Sequence, residues 1–242
     1  MSRRDSTLRE MGLGPVWRLR DQPAEVAAEA PNAGAALDGV SPRLTFSESA
    51  NERAAAIATM GWDELGAAVA ACRACALCEA RKQAVLGVGD VEADWLFVGE
   101  GPGAEEDERG EPFVGQAGKL LDAMLAAIDL KRGDNVYIGN SVKCRPPGNR
   151  TPEPDETAAC WPYLARQIAL IRPKLIVALG RPAAQTLLQR EVKISASRGQ
   201  LFEHQGIPLV ITYHPAYLLR NLPDKARAWE DLCFMRRTMK GL

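Results

Sequence analysis

The chain has 242 residues, of which 46% are hydrophobic and 25% are charged, and its formal net charge is −1. This length and composition suit one globular α/β domain with an appendage. A near-neutral charge excludes a strongly basic module, so any contact with DNA has to come from local patches. No apolar run is long enough to predict a membrane span, and no apolar segment follows Arg3 and Arg4 as a signal peptide requires. We therefore expect a cytoplasmic protein.

The N-terminal part of the chain differs in composition from the rest. Residues 1–58 are rich in Ala, Pro, Ser and Glu and show no period that could build a core. We predict a mostly disordered extension over 1–58 and a folded domain over 59–242. A helix is predicted from Trp62 to Ala71, directly before a cysteine-rich segment.

Four short apolar strands alternate with helices along the folded part; they are predicted over 95–98, 136–138, 175–179 and 209–212. Apolar periodicity and helix-start residues predict the helices, over 117–130, 154–171, 181–188 and 224–239. Strands that alternate with helices indicate a parallel sheet covered on both faces. The predicted fold class is α/β, a three-layer α/β/α sandwich with a central four-stranded parallel sheet.

The loop after the first predicted strand, Gly99–Gly115, reads GEGPGAEEDERGEPFVG. Its glycines allow the backbone to approach a ligand closely. Five acidic residues lie between Glu100 and Glu108, and Phe113 offers an aromatic face. Carboxylates beside a sugar, together with one aromatic face for a base, predict hydrolysis at a nucleoside. An acidic surface loop closed by glycines is the alternative interpretation of the same residues.

Polar residues follow three of the predicted strands at their carboxyl ends. Glu100 follows the first strand, Asn140 the second and His214 the fourth. Because the carboxyl ends of parallel strands line one crevice, we expect these side chains to converge. The chain has two histidines, and His204, in a predicted hairpin turn, is assigned a structural role.

The chain has six cysteines. Cys72 and Cys75 form a C-x-x-C pair, while Cys144 and Cys160 flank a proline-rich loop. Four thiolates from two segments can enclose a tetrahedral Zn²⁺ or a [4Fe–4S] cluster, and spacing alone does not choose between them. Cys78 is an additional candidate that could replace Cys75 as a ligand.

Three segments of the chain together resemble motifs of the family 4 uracil-DNA glycosylases, the iron–sulfur members of the uracil glycosylase superfamily. They are the loop Gly99–Gly115, the KCRPP segment from Lys143 and the HPAYLLR segment from His214. The resemblance covers residues 72 to about 240. It implies a monofunctional enzyme of base excision repair that hydrolyses the N-glycosidic bond of flipped-out deoxyuridine in DNA. Free uracil and an abasic site would be the products.

The same resemblance favours a [4Fe–4S] cluster over zinc. The cysteine positions of the family correspond here to Cys72, Cys75, Cys144 and Cys160. We expect the cluster to be structural and to shape a DNA-facing surface that carries Lys143, Arg145 and Arg150.

The chemistry of uracil release then suggests roles for the residues at the strand ends. His214 would donate a hydrogen bond to O2 of the departing uracil, where negative charge develops. Asn140 would bind N3–H and O4, a pattern that cytosine reverses, and Phe113 would stack on the flipped base. Glu100 is the first choice to position the attacking water, with Glu106 as the second. Further substrate-binding candidates are Gly101 and Asn149.

The DNA-binding candidates are Arg198, Leu218, Leu219 and Arg220. Apolar side chains beside an arginine suit a wedge that fills the gap left by a flipped nucleotide. A helix start that caps the core is an equally good interpretation of the same segment. The predicted partner is uracil-containing DNA, and we expect a monomer that does not contact membranes.

Two other functions compete with this prediction. A related branch binds uracil-DNA covalently through a histidine in the loop after the second strand, but residues 145–156 contain no histidine. A non-catalytic iron–sulfur or zinc protein, which binds DNA or senses redox state, would explain the cysteines and basic loops. It would leave the polar residues at the strand ends without a role.

Overall fold

The computed structural model describes residues 48–242, so predictions about residues 1–47 lie outside it. The strands are β1 (Val88–Gly89), β2 (Trp95–Gly99), β3 (Val136–Asn140), β4 (Leu175–Leu179), β5 (Leu201–His204) and β6 (Ile207–Thr212). The helices are α1 (Glu48–Thr59), α2 (Trp62–Ala71), α3 (Leu77–Ala80), α4 (Ala104–Arg109), α5 (Gln116–Ala126), α6 (Pro154–Ile171), α7 (Arg181–Leu188), α8 (Ile194–Ser197), α9 (Pro215–Arg220) and α10 (Asp224–Met239). The predicted bounds of α2, α6, β4, α7 and α10 are confirmed.

The sheet has the order β1-β3-β2-β4-β6-β5. Its four central strands, β3, β2, β4 and β6, are parallel and are the four that the sequence predicts. The two edge strands β1 and β5 are antiparallel to their neighbours and are not among the four predicted strands of the sheet. β1 is only two residues long, and β5 carries exposed and buried residues without an apolar run.

Helices cover both faces of the sheet, which confirms the three-layer arrangement. Alternate residues of β2 point to opposite faces, as expected for a strand. Trp95 and Phe97 pack with residues of α5, α9 and α10. Leu96 and Val98 pack with residues of α6 and α7 on the other face.

Helix α1 changes the predicted start of the folded domain. Residues 48–58, which we assigned to a disordered extension, form most of this helix. Ile57 is fully buried, and the Arg53 guanidinium donates a hydrogen bond from Nη2 to the Ala159 carbonyl in α6 at 2.6 Å. The alanines of this segment favour helix, and a single isoleucine anchors it, so its composition gave no sign of a core.

A smaller apolar cluster joins α1, α2 and α3 to α6. It contains Ile57, Leu65 and Val69 together with Cys144 and Cys160. Two of the predicted metal ligands are therefore part of a packed core. Among residues 48–242, no helix is long and apolar enough to cross a membrane.

Candidate active site

A cleft of about 860 Å³ lies at the carboxyl ends of the parallel strands. This is where a doubly wound sheet places its ligands, and the predicted convergence of polar residues is confirmed. The predicted residues that line the cleft are Glu100, Gly101, Glu106, Phe113, Asn140, Asn149, His214 and Arg220. The other three predicted site residues outside the cysteine group, Arg198, Leu218 and Leu219, do not line it.

Asn140 presents an unpaired oxygen in this cleft. The residue is 2% exposed, and its side-chain Oδ1 is buried without a hydrogen-bond partner among residues 48–242. A buried acceptor left unpaired is costly, so this oxygen is suited to a donor that arrives with a ligand. A Cβ on Gly99 would come within 2.5 Å of this Oδ1 and 2.6 Å of Phe113 Cζ. Only glycine leaves room for both side chains there.

His214 is held as a neutral hydrogen-bond donor. Its Nδ1 accepts a hydrogen bond from the Ala216 N–H at 3.1 Å, which caps α9, so the single proton of the neutral ring sits on Nε2. Burial, and to a smaller extent the charge of Arg220, lower the pKa of His214 to about 4 against the opposing effect of Glu106. The imidazole is therefore uncharged at neutral pH and offers Nε2–H.

Gly180 lies directly beside His214, where a side chain would not fit. It has φ +89°, in the region that favours glycine, and a Cβ there would come within 2.9 Å of His214 Cβ. A larger residue at this position would displace the imidazole.

Phe113 forms one wall of the cleft and packs against His214. The ring centroids are 5.4 Å apart and the planes are inclined by 30°. Phe113 has φ +56°, an uncommon conformation for a residue with a side chain. Arg132 holds this conformation by donating to the Pro112 carbonyl at 2.7 Å and the Phe113 carbonyl at 2.8 Å. A Cβ on Gly118 would lie 1.7 Å from the Phe113 carbonyl oxygen, so this tight approach requires glycine.

Glu106 closes the loop rather than facing a ligand freely. Its carboxylate accepts hydrogen bonds from the backbone N–H groups of Gly103, Val114 and Gly115, at 3.1, 2.9 and 3.2 Å. These bonds join the start of α4 to the start of α5. The predicted second choice for the water-positioning group thus has its carboxylate oxygens engaged, and its contacts are those of a positioning residue.

Glu100 lies in the cleft with a perturbed carboxyl group. Burial raises the pKa of Glu100, while contact with the Thr151 hydroxyl and the charge of Arg181 act in the opposite direction. The adjacent Gly101 packs against the second strand end, since a Cβ there would come within 2.8 Å of Val142 Cγ2. The loop therefore sits close to the strand that carries Asn140.

Four arginines line the cleft, and we call them the rim arginines: Arg150, Arg181, Arg220 and Arg227. Arg150 pairs with Glu156 at 2.7 Å, and Arg227 pairs with Asp224 at 2.9 Å. Glu100, Glu106 and Asp224 line the same cleft, so the arginines place cationic groups beside carboxylates.

Three residues that we expected at the DNA surface have other contacts. Leu218 is 1% exposed and belongs to the core, whereas Leu219, next to it on α9, is 40% exposed. Arg198 binds Asp231 at 3.0 Å and also pairs with Glu230. Lys143 is 1% exposed. The prediction of a DNA-facing position is therefore wrong for these three residues. Leu218 faces the core because a short helix packed on it buries one of two adjacent leucines, Arg198 is held by two carboxylates of α10, and Lys143 is buried against Gln167 of α6.

The cysteines form a second site, in a small cavity beside α6. Five thiols line it: Cys72, Cys75, Cys78, Cys144 and Cys160. The structure thus brings together all four predicted ligands and the alternative Cys78. In the described part of the chain, no three Cys, His, Asp or Glu side chains yet lie close enough to hold a metal ion.

Two donors reach the sulfur atoms of this cavity. Arg81 donates from Nη1 to Cys144 Sγ at 2.8 Å, and the Lys143 N–H donates to Cys160 Sγ at 3.3 Å. Burial raises the pKa of Cys144 and raises that of Cys160 to about 12. Cys144 and Cys160 are buried, and Cys72, Cys75 and Cys78 are partly buried. Several thiols that line one cavity are the type of ligand that iron–sulfur clusters and structural zinc use.

Several of these positioning residues had no signal in the sequence. Arg132, Gly118 and Gly180 act through contacts across the fold, and only the turn propensity of glycine could have indicated the last. The sequence identified Glu106 as a site carboxylate. It could not show that Val114 and Gly115 lie close enough to donate hydrogen bonds to this carboxylate.

The chain is similar in sequence to known proteins. Residues 86–233 match the family model described as the uracil DNA glycosylase superfamily. A type-4 uracil-DNA glycosylase of Archaeoglobus fulgidus is 46% identical over 165 residues, which cover 65% of this chain and 82% of that protein. The type-4 enzyme of Thermotoga maritima is 48% identical over 158 residues, covering 64% and 82%. A type-5 uracil-DNA glycosylase of Thermus thermophilus is 34% identical over 149 residues, covering 54% and 68%.

Proposed function

Because the chain belongs to the uracil DNA glycosylase superfamily, we propose that it hydrolyses the N-glycosidic bond of flipped-out deoxyuridine in DNA. The products are free uracil and an abasic site, as in base excision repair by a monofunctional glycosylase. The observation that carries the proposal is the unpaired, buried Oδ1 of Asn140 in the same cleft as the neutral imidazole of His214.

Asn140 and Phe113 recognise the base in this proposal. The Asn140 Oδ1 accepts from N3–H of uracil, and the amide N–H group of the same side chain donates to O4. Cytosine presents an acceptor at N3 and a donor at C4, so it would leave the oriented amide unpaired on both sides. Phe113 supplies the flat face on which the flipped base stacks.

His214 stabilises the leaving group. As the glycosidic bond breaks, negative charge develops on O2 of uracil, and Nε2–H of the neutral imidazole donates to it. A fixed donor aimed at charge that appears only in the transition state lowers the barrier without strengthening substrate binding equally. The Nδ1 bond to the Ala216 N–H keeps the proton on Nε2 for this purpose.

Glu100 acts on the sugar side of the bond. Its carboxylate positions the attacking water and stabilises the positive charge that develops at C1′. Burial raises the pKa of Glu100, and the Thr151 hydroxyl and the charge of Arg181 partly oppose that shift towards the neutral acid. Glu106 holds the loop that carries Glu100 and Phe113, and Gly101 and Asn149 shape the cleft around the substrate.

The rim arginines and the exposed Leu219 are the proposed DNA contacts. The arginines would bind phosphates next to the flipped nucleotide, and Leu219 would occupy the space that the base vacates. We propose that the enzyme acts as a cytoplasmic monomer.

The cysteine cavity is proposed to hold a [4Fe–4S] cluster on Cys72, Cys75, Cys144 and Cys160. When bound, the cluster supplies a cross-link between the segment before β1 and the segment after β3. Hydrolysis of a glycosidic bond requires no electron transfer, so this contribution is structural. Iron and sulfide analysis with a visible spectrum tests the assignment: four iron atoms and a brown colour are expected, whereas one zinc per chain without iron would contradict it.

Release of free base tests the catalytic proposal. The full chain is incubated with single- and double-stranded oligonucleotides that contain one deoxyuridine, deoxycytidine or thymidine, and the released base is identified by mass spectrometry. We expect uracil from the deoxyuridine substrates and no base from the others. Tight DNA binding without any base release would instead support the non-catalytic DNA-binding protein.

A further inference from the structure

We propose that the buried Lys143 is a positioning residue for uracil recognition, which fixes the main chain of Asn140 and connects it to the cysteine cavity. The proposal rests on the proposed function, since it names a residue that acts on the base through Asn140. Lys143 neither lines the cleft nor contacts solvent, so it can act only through the residues that it binds.

The ammonium group of Lys143 lies at the end of β3. Its Nζ donates to the Asn140 carbonyl oxygen at 2.8 Å and to Gln167 Oε1 at 2.5 Å. The Gln167 side chain is itself fixed, since its Nε2 donates to the Leu86 carbonyl at 2.9 Å and to the Tyr137 hydroxyl at 3.0 Å. The charge on Lys143 is therefore held in one place by a connected, buried network.

The main chain of the same residue belongs to the cysteine site. The Lys143 N–H donates to Cys160 Sγ at 3.3 Å, the Lys143 carbonyl accepts from the Val85 N–H at 2.7 Å, and Cys144 follows directly. One residue thus bonds to a proposed cluster ligand through its backbone and to Asn140 through its side chain. Hydrogen bonds of this one residue therefore connect the cysteine site to the base-recognition site.

The orientation of the Asn140 amide depends on the peptide that carries it. The following residues are bonded to the first strand end, where the Ser141 N–H and hydroxyl both donate to the Gly99 carbonyl, at 2.9 and 3.1 Å. The Asn140 carbonyl belongs to the same peptide group as the Ser141 N–H and points in the opposite direction, where it accepts a hydrogen bond from Lys143 Nζ. A charge-assisted hydrogen bond at this carbonyl restricts rotation of the peptide and hence of the unpaired Oδ1.

Lys143→Met tests the proposal, because methionine keeps the apolar stem and cannot donate. Inhibition by free uracil measures binding of the base alone, and affinity for an abasic-site oligonucleotide measures binding of DNA without the base. We expect the inhibition constant for uracil to rise about 10-fold, the upper end of the cost of ordering one side chain on binding, because Asn140 would no longer be held in place beforehand. The affinity for abasic DNA and the iron content should stay within about 2-fold of the wild-type values.

Lys174→Met is the matched control, since Lys174 is exposed and pairs with Asp94 just before β2, away from the cleft. Its inhibition constant for uracil and its affinity for abasic DNA should both be unchanged.

Gln167→Leu removes the second partner of the ammonium group. It should weaken uracil binding by a smaller factor and leave abasic-DNA binding unchanged. If Lys143→Met does not fold, this comparison of uracil binding with abasic-DNA binding in Gln167→Leu tests the proposal.

Equal changes in uracil and abasic-DNA affinity, or no change in either with a lower melting temperature, would overturn the proposal. A loss of iron in Lys143→Met would also overturn it, because the side chain would then act on the cysteine site. Failure of the proposed function is distinguishable, since the wild-type protein itself would then release no uracil.

Discussion

Replacement of His214 is the perturbation whose effect the geometry of the cleft defines most sharply. With a pKa of about 4, only about one imidazole in 1,000 is protonated at pH 7. The ring therefore contributes a single neutral donor, Nε2–H. In His214→Ala that donor is lost, together with the Nδ1 acceptor that caps α9.

The two losses have different magnitudes and different readouts. Removing one donor to a developing anion costs about 100- to 1,000-fold in rate, or about 2.7–4 kcal/mol. Removing a helix N-cap costs about 0.5–2 kcal/mol of stability and does not act on the barrier. His214→Asn separates them, because asparagine is a good N-cap residue and cannot reproduce the position of Nε2–H.

The assay compares single-turnover uracil release with binding to a non-cleavable deoxyuridine analogue. We expect both His214 variants to lose about the same factor in rate, while binding changes far less because the charge on O2 is absent in the ground state. His204→Ala is the matched control. His204 is buried, its Nδ1 lies 2.8 Å from the Leu187 carbonyl, and its ring packs edge-on against Trp161. That variant should lower the melting temperature and keep the rate per folded molecule.

A near-normal single-turnover rate in His214→Asn would refute the leaving-group role. The contribution to the barrier would then have to come from Glu100 and from backbone donors of the Gly99–Gly115 loop. An equal loss in rate and in analogue binding would also refute it, because His214 would then contribute to uniform binding.

Four further outcomes are expected. Asn140→Asp should shift selectivity towards cytosine, measured as the ratio of the two bases released, because a carboxylate accepts from the cytosine amino group where the amide nitrogen cannot; an unchanged ratio would contradict the role of Asn140. A chain that starts at residue 48 should retain activity and the wild-type melting temperature. A chain that starts at Met60 should melt at a lower temperature because it lacks the buried Ile57. Equal melting temperatures of the two chains would show that α1 does not stabilise the fold. The four rim arginines predict that log K for DNA binding falls with log salt with a slope no steeper than about −4, and a much steeper slope would reveal a missed basic surface. The pKa of His214 in the folded chain lies below its unfolded value of about 6.5, so the unfolded chain binds this proton first. The free energy of unfolding should therefore fall as pH drops from about 6.5 to about 4. His214→Asn should remove that part of the pH dependence, measured by denaturant unfolding.

The central sheet could be predicted from the sequence because its strands are apolar runs buried on both faces. Leu175–Leu179 is the clearest case, with every residue buried. The convergence of Glu100, Asn140 and His214 followed from the rule that parallel strands end at one edge. The edge strands are too short or too exposed to produce such a signal.

The support of the cleft could not be predicted, because it depends on where loops return in three dimensions. Arg132 holds the Phe113 carbonyl from 19 residues away, and nothing in its neighbours marks it. Lys143 reads as a basic surface residue in a proline-rich segment, yet the packing of α6 buries it. The difference between Leu218 and Leu219 is likewise a matter of helix phase on a core, which two adjacent leucines do not reveal.

Single-turnover uracil release by the wild-type chain and by the double variant Asn140→Ala/His214→Ala tests most directly whether this cleft hydrolyses deoxyuridine. With enzyme in excess over an oligonucleotide that contains one deoxyuridine, the wild-type protein should release one free uracil per strand and leave one abasic site. The double variant, folded and with wild-type affinity for abasic DNA, should release none on the same timescale. Release of uracil by the double variant at the wild-type rate would contradict the assignment of the reaction to this cleft.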